Sequence, residues 1–172
     1  MECSSKIGLG GGCHWCTEAV FQSLIGVSKV EQGYVVSFGE TSAFSEAVVV
    51  HFERSLISLD VLIEIHLHTH KSTSDHSMMS KYRSAVYVFS EEQKKESKVM
   101  IMNFQKDFGN NLITEVLAFS LFNPSREQIT DYYYKNPEKP FCERFIQPKL
   151  KILLQKFSKH TNSRLKRMTT VK

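Results

Sequence analysis

The hydrophobic residues of this chain follow two patterns, one typical of strands and the other of helices. Residues 44–52, with the sequence FSEAVVVHF, are rich in β-branched and aromatic residues, which predicts a strand. Residues 59–66 have apolar positions at helical spacing, and Ser58 before them is a typical helix cap. Together with turn and capping signals, the same criteria predict strands at 7–10, 27–37, 84–89 and 113–119, and helices at 17–25, 90–109, 125–134 and 150–157.

The order of these elements predicts the fold class. Between residues 7 and 89 the order is strand, helix, strand, strand, helix, strand, which is the split βαβ order of a ferredoxin-like fold. We therefore predict an α/β (α+β) two-layer sandwich, in which helices cover a mixed sheet and extra helices follow at the C-terminal end. Segments 70–81 and 136–140 contain residues that favour loops, such as Ser, Thr and Pro.

Composition and charge narrow the class of protein. A chain of 172 residues with 41% hydrophobic and 23% charged residues is typical of one globular domain, and we place it at residues 1–160. Nine of the 22 Lys and Arg residues, but none of the 18 Asp and Glu residues, lie at 144–172, so we expect 161–172 to be a flexible basic tail. We expect a cytoplasmic protein without a membrane partner, because no apolar segment resembles a signal peptide or a membrane span. We also expect a monomer, and no nucleic-acid partner, since a solvated tail explains the basic C-terminal charge.

The candidate chemistry is concentrated in residues 10–21, GGGCHWCTEAVF. A helix is predicted to begin near Cys13, and the unpaired N–H groups at a helix N-terminus favour a thiolate there. The preceding glycines allow a tight turn and a close approach to a ligand. The chain has four cysteines and no secretion signal, which indicates redox catalysis or metal binding rather than structural disulfides. The sequence therefore predicts a nucleophilic thiol at Cys13.

Residues 12–21 also resemble the signature of the A-type peptide methionine sulfoxide reductases, which runs Gly-Cys-Phe-Trp and then enters a helix. His14 stands where the family usually has phenylalanine. Further similarities follow in the family's order, at residues 44–49, 57–73, 81–87 and 132–142. The resemblance implies repair of oxidised proteins by thiol-dependent reduction of the S epimer of methionine sulfoxide, free or in proteins. It also implies no bound cofactor or metal, and thioredoxin or another dithiol as the electron donor.

Sulfoxide reduction needs a nucleophile, an acid that protonates the departing oxygen and an apolar wall for the S-methyl group. By resemblance, Cys13 is the nucleophile. Glu46 in FSEAVV matches the proton-donating glutamate of the family's Gly-His-Ala-Glu-Ala-Val stretch, and burial beside aromatic rings favours the neutral carboxylic acid. Tyr82 in KYRSA matches the family's Gln-Tyr-Arg-Ser-Ala motif, so it is expected to hydrogen-bond the sulfoxide oxygen.

The substrate wall departs from the family's pattern at several positions. Trp15 is retained, whereas His14 makes the wall less apolar and places an ionisable ring beside the thiol. The family's second active-site tyrosine is missing, and Tyr34 is a poor substitute for it. Asp75 or His76 is a candidate to replace an aspartate that the family has before the Tyr-Arg motif.

A second thiol must condense with the sulfenic acid that oxygen transfer leaves on Cys13. Cys142 in KNPEKPFC resembles the family's recycling cysteine, and we expect it on a flexible loop. Cys16 lies one helical turn from Cys13 and is the rival. From the sequence we expect Cys142 to be the resolving thiol, with Cys16 as the alternative.

Two other classes of function are compatible with parts of the sequence. The C-x-x-C motif is typical of thioredoxin-like disulfide oxidoreductases, but the four prolines all come late in the chain, which argues against that fold. The histidines could instead form a small zinc or nucleic-acid module with the two cysteines, although only His66 and His70 would share a helix face. The residues considered for zinc are Cys13, His14, Cys16, His66, His68 and His70.

Overall fold

The structure is a computed structural model that describes residues 4–39, 42–74 and 81–170. Six strands form one sheet in the order β5-β4-β1-β3-β2-β6. Neighbouring strands are antiparallel, except that β4 and β5 are parallel. The strands are β1 (Ser4–Gly10), β2 (Val27–Val36), β3 (Ser45–Glu53), β4 (Ala85–Val88), β5 (Glu115–Ala118) and β6 (Leu121–Pro124). The four central strands have the ferredoxin-like order β4-β1-β3-β2, which confirms the predicted fold class.

Helices pack on this sheet and continue beyond it. The α-helices are α1 (His14–Gln22), α2 (Leu59–His68), α3 (Glu91–Phe104), α4 (Tyr132–Lys135), α5 (Gln147–Lys156) and α6 (Ser163–Thr170). Short 3-10 helices lie at Gln105–Phe108, Glu127–Ile129 and Ser158–His160, and a π-helical turn lies at Cys142–Ile146. No helix among the described residues is both long and apolar enough to cross a membrane.

Both faces of the central strands are buried, which explains the continuous apolar run 47–50 in the middle of β3. Val48 and Val50 belong to the large apolar cluster beneath the helices, whereas Ala47 belongs to a smaller cluster with Tyr87. Because side chains alternate along a strand, Glu46 lies on the same face as Val48. The fold therefore directs the Glu46 carboxylate to the helix-covered face, at the polar end of the strand.

The turn between β1 and α1 depends on a glycine. Gly11 has φ +147°, and a Cβ atom there would lie 2.3 Å from Cδ2 of His70. Only glycine lets the chain pass this close to the His70 ring with that backbone conformation. Gly10 pairs with Ala47 of β3, so the loop that follows lies beside Glu46.

The C-terminal third differs from the sequence prediction in three places. We predicted β5 as the last strand, but the structure has a further strand, β6, which pairs with β2. The helix predicted for 125–134 is broken, because Asp131 adopts a left-handed conformation with φ +53° between a 3-10 turn and α4. The segment beyond residue 160, predicted to be a flexible tail, is helical over Ser163–Thr170, because Leu165 packs into the large apolar cluster and is 1% exposed.

Candidate active site

Cys13 lies immediately before α1 in an extended conformation and is half-buried. Its carbonyl accepts the N–H groups of Cys16 at 3.1 Å and Thr17 at 3.3 Å, which starts the helix. A hydrogen bond from the Cys16 thiol, and others from the backbone N–H groups of Trp15 and Cys16, lower the pKa of Cys13, although burial and the Glu46 charge oppose them. The position before the helix therefore produces the thiolate character that the sequence predicts.

Cys16 is buried in the first turn of α1 and has the opposite electrostatic environment. Its hydrogen bond to Cys13 and its burial strongly raise its pKa, and the nearby Cys142 raises it further. The positive charge of Lys149 acts in the other direction. Cys16 is therefore held as a thiol while it stabilises the Cys13 thiolate.

Both cysteines line a cavity of about 570 Å³. Tyr82 lies in its wall, so the structure brings this predicted site residue together with Cys13. The lining residues are Gly11, Gly12, Cys13, Cys16, His70, Lys71, Tyr82, Phe141, Phe145 and Lys149. The cavity gives a substrate access to the thiol from one side.

Glu46 approaches Cys13 from the sheet. Its Oε2 atom accepts the backbone N–H of His14 at 3.1 Å, one residue beyond Cys13, and the carboxylate is buried. Tyr34 is directly opposite Glu46 in the β2–β3 register. Opposite residues in antiparallel strands share a face, so Tyr34 and Glu46 lie side by side.

The His14 ring lies away from the wall position that we predicted. It is buried, and its Nδ1 atom lies 2.9 Å from the Gly33 carbonyl oxygen. Because a carbonyl oxygen only accepts, Nδ1 carries the proton and donates. Nε2 lies 3.8 Å from Oε1 of Glu46, and the ring meets Tyr34 edge to face at 5.2 Å. His14 therefore links α1 to β2 and β3 beneath the thiol.

An aromatic cluster lies beside the loop that carries Cys13. Trp15 stacks on Tyr132 with ring centroids 4.0 Å apart and planes 6° from parallel, and Phe141 meets Trp15 edge to face at 5.3 Å. Sequence reasoning missed Tyr132 as a site residue, although the run Tyr132–Lys135 within a segment resembling the family was the available signal. Phe141 also lines the cavity, so it connects the cluster to the space beside Cys13.

Glu18 fixes the position of Tyr132. Its side chain, which is 1% exposed, accepts the backbone N–H groups of Asp131 at 3.0 Å and Tyr132 at 3.2 Å, and Nε2 of Gln32 at 3.0 Å. Burial raises the pKa of this carboxyl, and the three hydrogen bonds only partly offset that effect. Sequence reasoning missed Glu18 as well.

Cys142 is placed differently from the prediction. It begins the π-helical turn Cys142–Ile146 and is fully buried, because this turn continues directly into α5 against the core. Burial raises its pKa. The predicted flexible loop was therefore wrong for Cys142, which lies near enough to Cys16 to raise the pKa of that thiol.

The histidines considered for zinc bind protein groups instead. The rings of His66 and His70 stack at 4.1 Å, and Nε2 of His70 lies 2.7 Å from the Ser84 hydroxyl. Burial lowers the pKa of His70 to about 4 and that of His66 well below its ordinary value. His68 packs beside Phe108. Among the residues that the structure describes, no three His, Cys, Asp or Glu side chains are grouped to hold a metal.

Two candidates for the missing aspartate, Asp75 and His76, lie outside the described residues. Cys3 also lies outside them. The site therefore consists here of Cys13, Cys16, Glu46, Tyr34, Tyr82 and the aromatic cluster.

The chain matches known proteins along most of its length. The family model described as peptide methionine sulfoxide reductase matches residues 5–162. The chain therefore belongs to the peptide methionine sulfoxide reductase family. One relative in that family, from Psychrobacter sp. (strain PRwf-1), is 35% identical over 168 residues, covering 88% of this chain and 95% of the relative. Another, from Sulfolobus acidocaldarius, is 34% identical over 172 residues, covering 91% and 97%.

Solved structures of related proteins share the fold. Reduced Mxr1 from Saccharomyces cerevisiae has a TM-score of 0.72 and 22% identity, over 81% of this chain and 89% of that one. The same protein in complex with Trx2 has a TM-score of 0.60 and 24% identity, over 73% and 83%.

Membership of the reductase family confirms three sequence predictions. The resemblance of residues 12–21 is confirmed, the chain is an enzyme that acts on oxidised sulfur, and its reaction is methionine sulfoxide reduction. The thioredoxin-like disulfide oxidoreductase that we considered as an alternative is not favoured by the family match.

Proposed function

We propose that this reductase acts on the S epimer of methionine sulfoxide, with Cys13 as the nucleophile. The observation that carries this proposal is the lowered pKa of Cys13, a half-buried thiol in the wall of a cavity. The next residue, His14, donates its backbone N–H to Glu46. The thiolate attacks the sulfoxide sulfur, and the oxygen moves to Cys13 as a sulfenic acid while the sulfide leaves. Two protons and two electrons enter over the whole cycle.

Glu46 and Tyr82 act on the oxygen. In its protonated form Glu46 donates a proton to it, since this carboxyl group is buried beside the loop and is held by the His14 N–H. Tyr82 supplies a hydroxyl from the cavity wall that can donate to the same oxygen. Tyr34, opposite Glu46 in the sheet, substitutes for the family's second tyrosine.

The aromatic cluster receives the S-methyl group of the substrate. Trp15 and Tyr132 stack, and Phe141 carries the apolar surface into the cavity. His14 is not part of this wall, because its ring contacts Gly33 and Tyr34 of β2 instead. A sulfoxide carries both a polar oxygen and an apolar methyl group, so a site with separate polar and aromatic sides orients it.

Cys16 is the first thiol to condense with the sulfenic acid. Its thiol already donates a hydrogen bond to the Cys13 sulfur, whereas the Cys142 thiol is fully buried. Condensation forms the Cys13–Cys16 disulfide and releases water. Cys142 then serves as a second thiol that exchanges with this disulfide when the start of its helix opens.

Thioredoxin or another dithiol regenerates the enzyme, and no bound cofactor or metal takes part. The related Mxr1 structure with Trx2 supports a partner of this kind for this chain. The cytoplasmic location, the monomeric state and a domain spanning 1–160 stay predictions.

The test uses racemic methionine sulfoxide with dithiothreitol and chiral separation of the two epimers. We expect the S epimer alone to disappear with the wild-type chain, and neither epimer to disappear with Cys13→Ser. Glu46→Gln should slow methionine formation by about 10²- to 10⁴-fold, the usual contribution of general acid catalysis. Loss of the R epimer, or full activity in Cys13→Ser, would contradict the proposal.

A further inference from the structure

Lys149 enters the active-site cavity from α5, on the side opposite the sheet. It lines the same 570 Å³ cavity as Cys13 and Cys16. Its Nζ atom donates to the Thr69 carbonyl at 2.5 Å, and Thr69 is the residue that ends α2. A carbonyl at a helix C-terminus lacks an intrahelical partner and carries partial negative charge, so it binds an ammonium group well. The Lys149 ammonium is therefore fixed in the cavity wall and does not extend into solvent.

The anion in the same cavity wall as Lys149 is the Cys13 thiolate. The described lining residues include a second cation, Lys71, and no carboxylate. Burial lowers the pKa of Lys149, while Cys16 and Cys13 raise it. In return, Lys149 lowers the pKa of Cys16, against the combined effects of burial and the Cys13 hydrogen bond.

The balance between the effects that raise and lower the pKa of Cys16 changes during the catalytic cycle. Before oxygen transfer, the Cys16 thiol donates to the Cys13 thiolate and must keep its proton. After oxygen transfer, Cys13 is a neutral sulfenic acid, so the anion that held that proton is gone. The fixed ammonium group of Lys149 remains, and it favours negative charge on the Cys16 sulfur.

We propose that Lys149 is a positioning residue that acts through Cys16 to accelerate the condensation step. This inference rests on the proposed function. The Cys16 sulfur forms a bond to the Cys13 sulfur, the S–O bond breaks, and the Cys16 proton leaves with the oxygen as water. No outside oxidant or reductant takes part in this step. The Cys13 thiolate is stabilised mainly by the Cys16 thiol and by backbone N–H groups at the start of α1, so oxygen transfer depends less on Lys149 than the condensation step does.

The experiment measures the two steps separately in a single turnover without reductant. Reduced enzyme is mixed with methionine sulfoxide and quenched at intervals. Methionine is then quantified, and dimedone labelling and thiol alkylation followed by mass spectrometry report the sulfenic acid and the disulfide. In Lys149→Met we expect methionine formation within about twofold of wild type, and disulfide formation slower by about tenfold or more, because a smaller fraction of the attacking thiol is ionised.

Three variants provide the controls. Lys149→Arg should restore the disulfide rate, because it keeps the charge. Lys151→Met makes the same change at an exposed position of the same helix that lines a different cavity, and it should behave as wild type. Lys149→Gln removes the charge but can still donate to the Thr69 carbonyl, so it gives the same test if Lys149→Met does not fold.

The failures of the two proposals are distinguishable. If wild type forms no methionine, the proposed function is wrong. If wild type forms methionine but the Lys149→Met and Lys149→Gln variants form the disulfide at the wild-type rate, the role of Lys149 is wrong. An equal slowing of both steps also overturns it, since a positioning effect through Cys16 acts only after oxygen transfer.

Discussion

The two ends of this chain place cysteines in opposite environments. Cys13 stands at a helix N-terminus beside a cavity, and its pKa is lowered by hydrogen bonds from Cys16 and from backbone N–H groups. Cys142 begins a helical turn inside the core, is fully buried, and has a raised pKa. The same side chain is therefore a ready nucleophile in the first region and a protected thiol in the second. The difference shows that the place of a cysteine in the fold decides how readily its thiol reacts.

The largest expected effect is on methionine formation when Cys13 or Cys142 is replaced singly by serine. Cys13→Ser should lower methionine formation by about 10³-fold or more, because a hydroxyl is a far weaker nucleophile at neutral pH. Cys142→Ser should still form one methionine per enzyme in a single turnover. Quantifying methionine without reductant checks both. If Cys142→Ser also fails in the first turnover, the two environments do not divide the work as we describe.

The next effect concerns alkylation of the folded chain. At pH 7, iodoacetamide should modify Cys13 at least about tenfold faster than Cys142, because a lowered pKa increases the thiolate fraction and burial blocks access. As the pH rises, the Cys13 rate should reach half its maximum below the ordinary pKa of a cysteine. Mass spectrometry of the peptides measures both rates. In urea the difference should vanish, and its persistence there would assign it to local sequence rather than to the fold.

The first region was predictable because its elements carry regular local patterns. Strand β3 has a continuous apolar run, and the glycines before Cys13 predict the turn into α1. The C-terminal region depends on contacts distant in sequence. Strand β6 is short and largely exposed, so only its pairing with β2 defines it. The stacking of Tyr132 on Trp15 and the burial of Cys142 likewise arise from packing between distant segments, which no local periodicity encodes.

A third prediction asks whether the C-terminal region folds with the first. Leu165 of α6 is 1% exposed within the large apolar cluster. Leu165→Ala should lower the free energy of unfolding by about 2–4 kcal/mol, because it leaves a cavity in that cluster. Urea unfolding measures this, with exposed Lys166→Ala of the same helix as the control. A loss below about 0.5 kcal/mol, the size of an ordinary surface substitution, would mean that α6 is a dispensable tail after all.

The smallest effect concerns Glu18, which joins the two regions by binding the backbone at Asp131 and Tyr132 from α1. Burial raises its pKa, so the folded chain keeps this proton to a higher pH than the unfolded chain does. Its contribution to stability is therefore complete below the ordinary carboxyl pKa and is lost as the pH rises through the folded value. Glu18→Gln does not titrate, so the stability of wild type relative to this variant should fall with rising pH, by at most about 1.4 kcal/mol per pH unit within that window. Urea unfolding between pH 4 and pH 7 measures the difference, with exposed Glu143→Gln as the control. A difference that grows with pH would show instead that the three hydrogen bonds outweigh burial, and that Glu18 joins the two regions as a stabilised carboxylate.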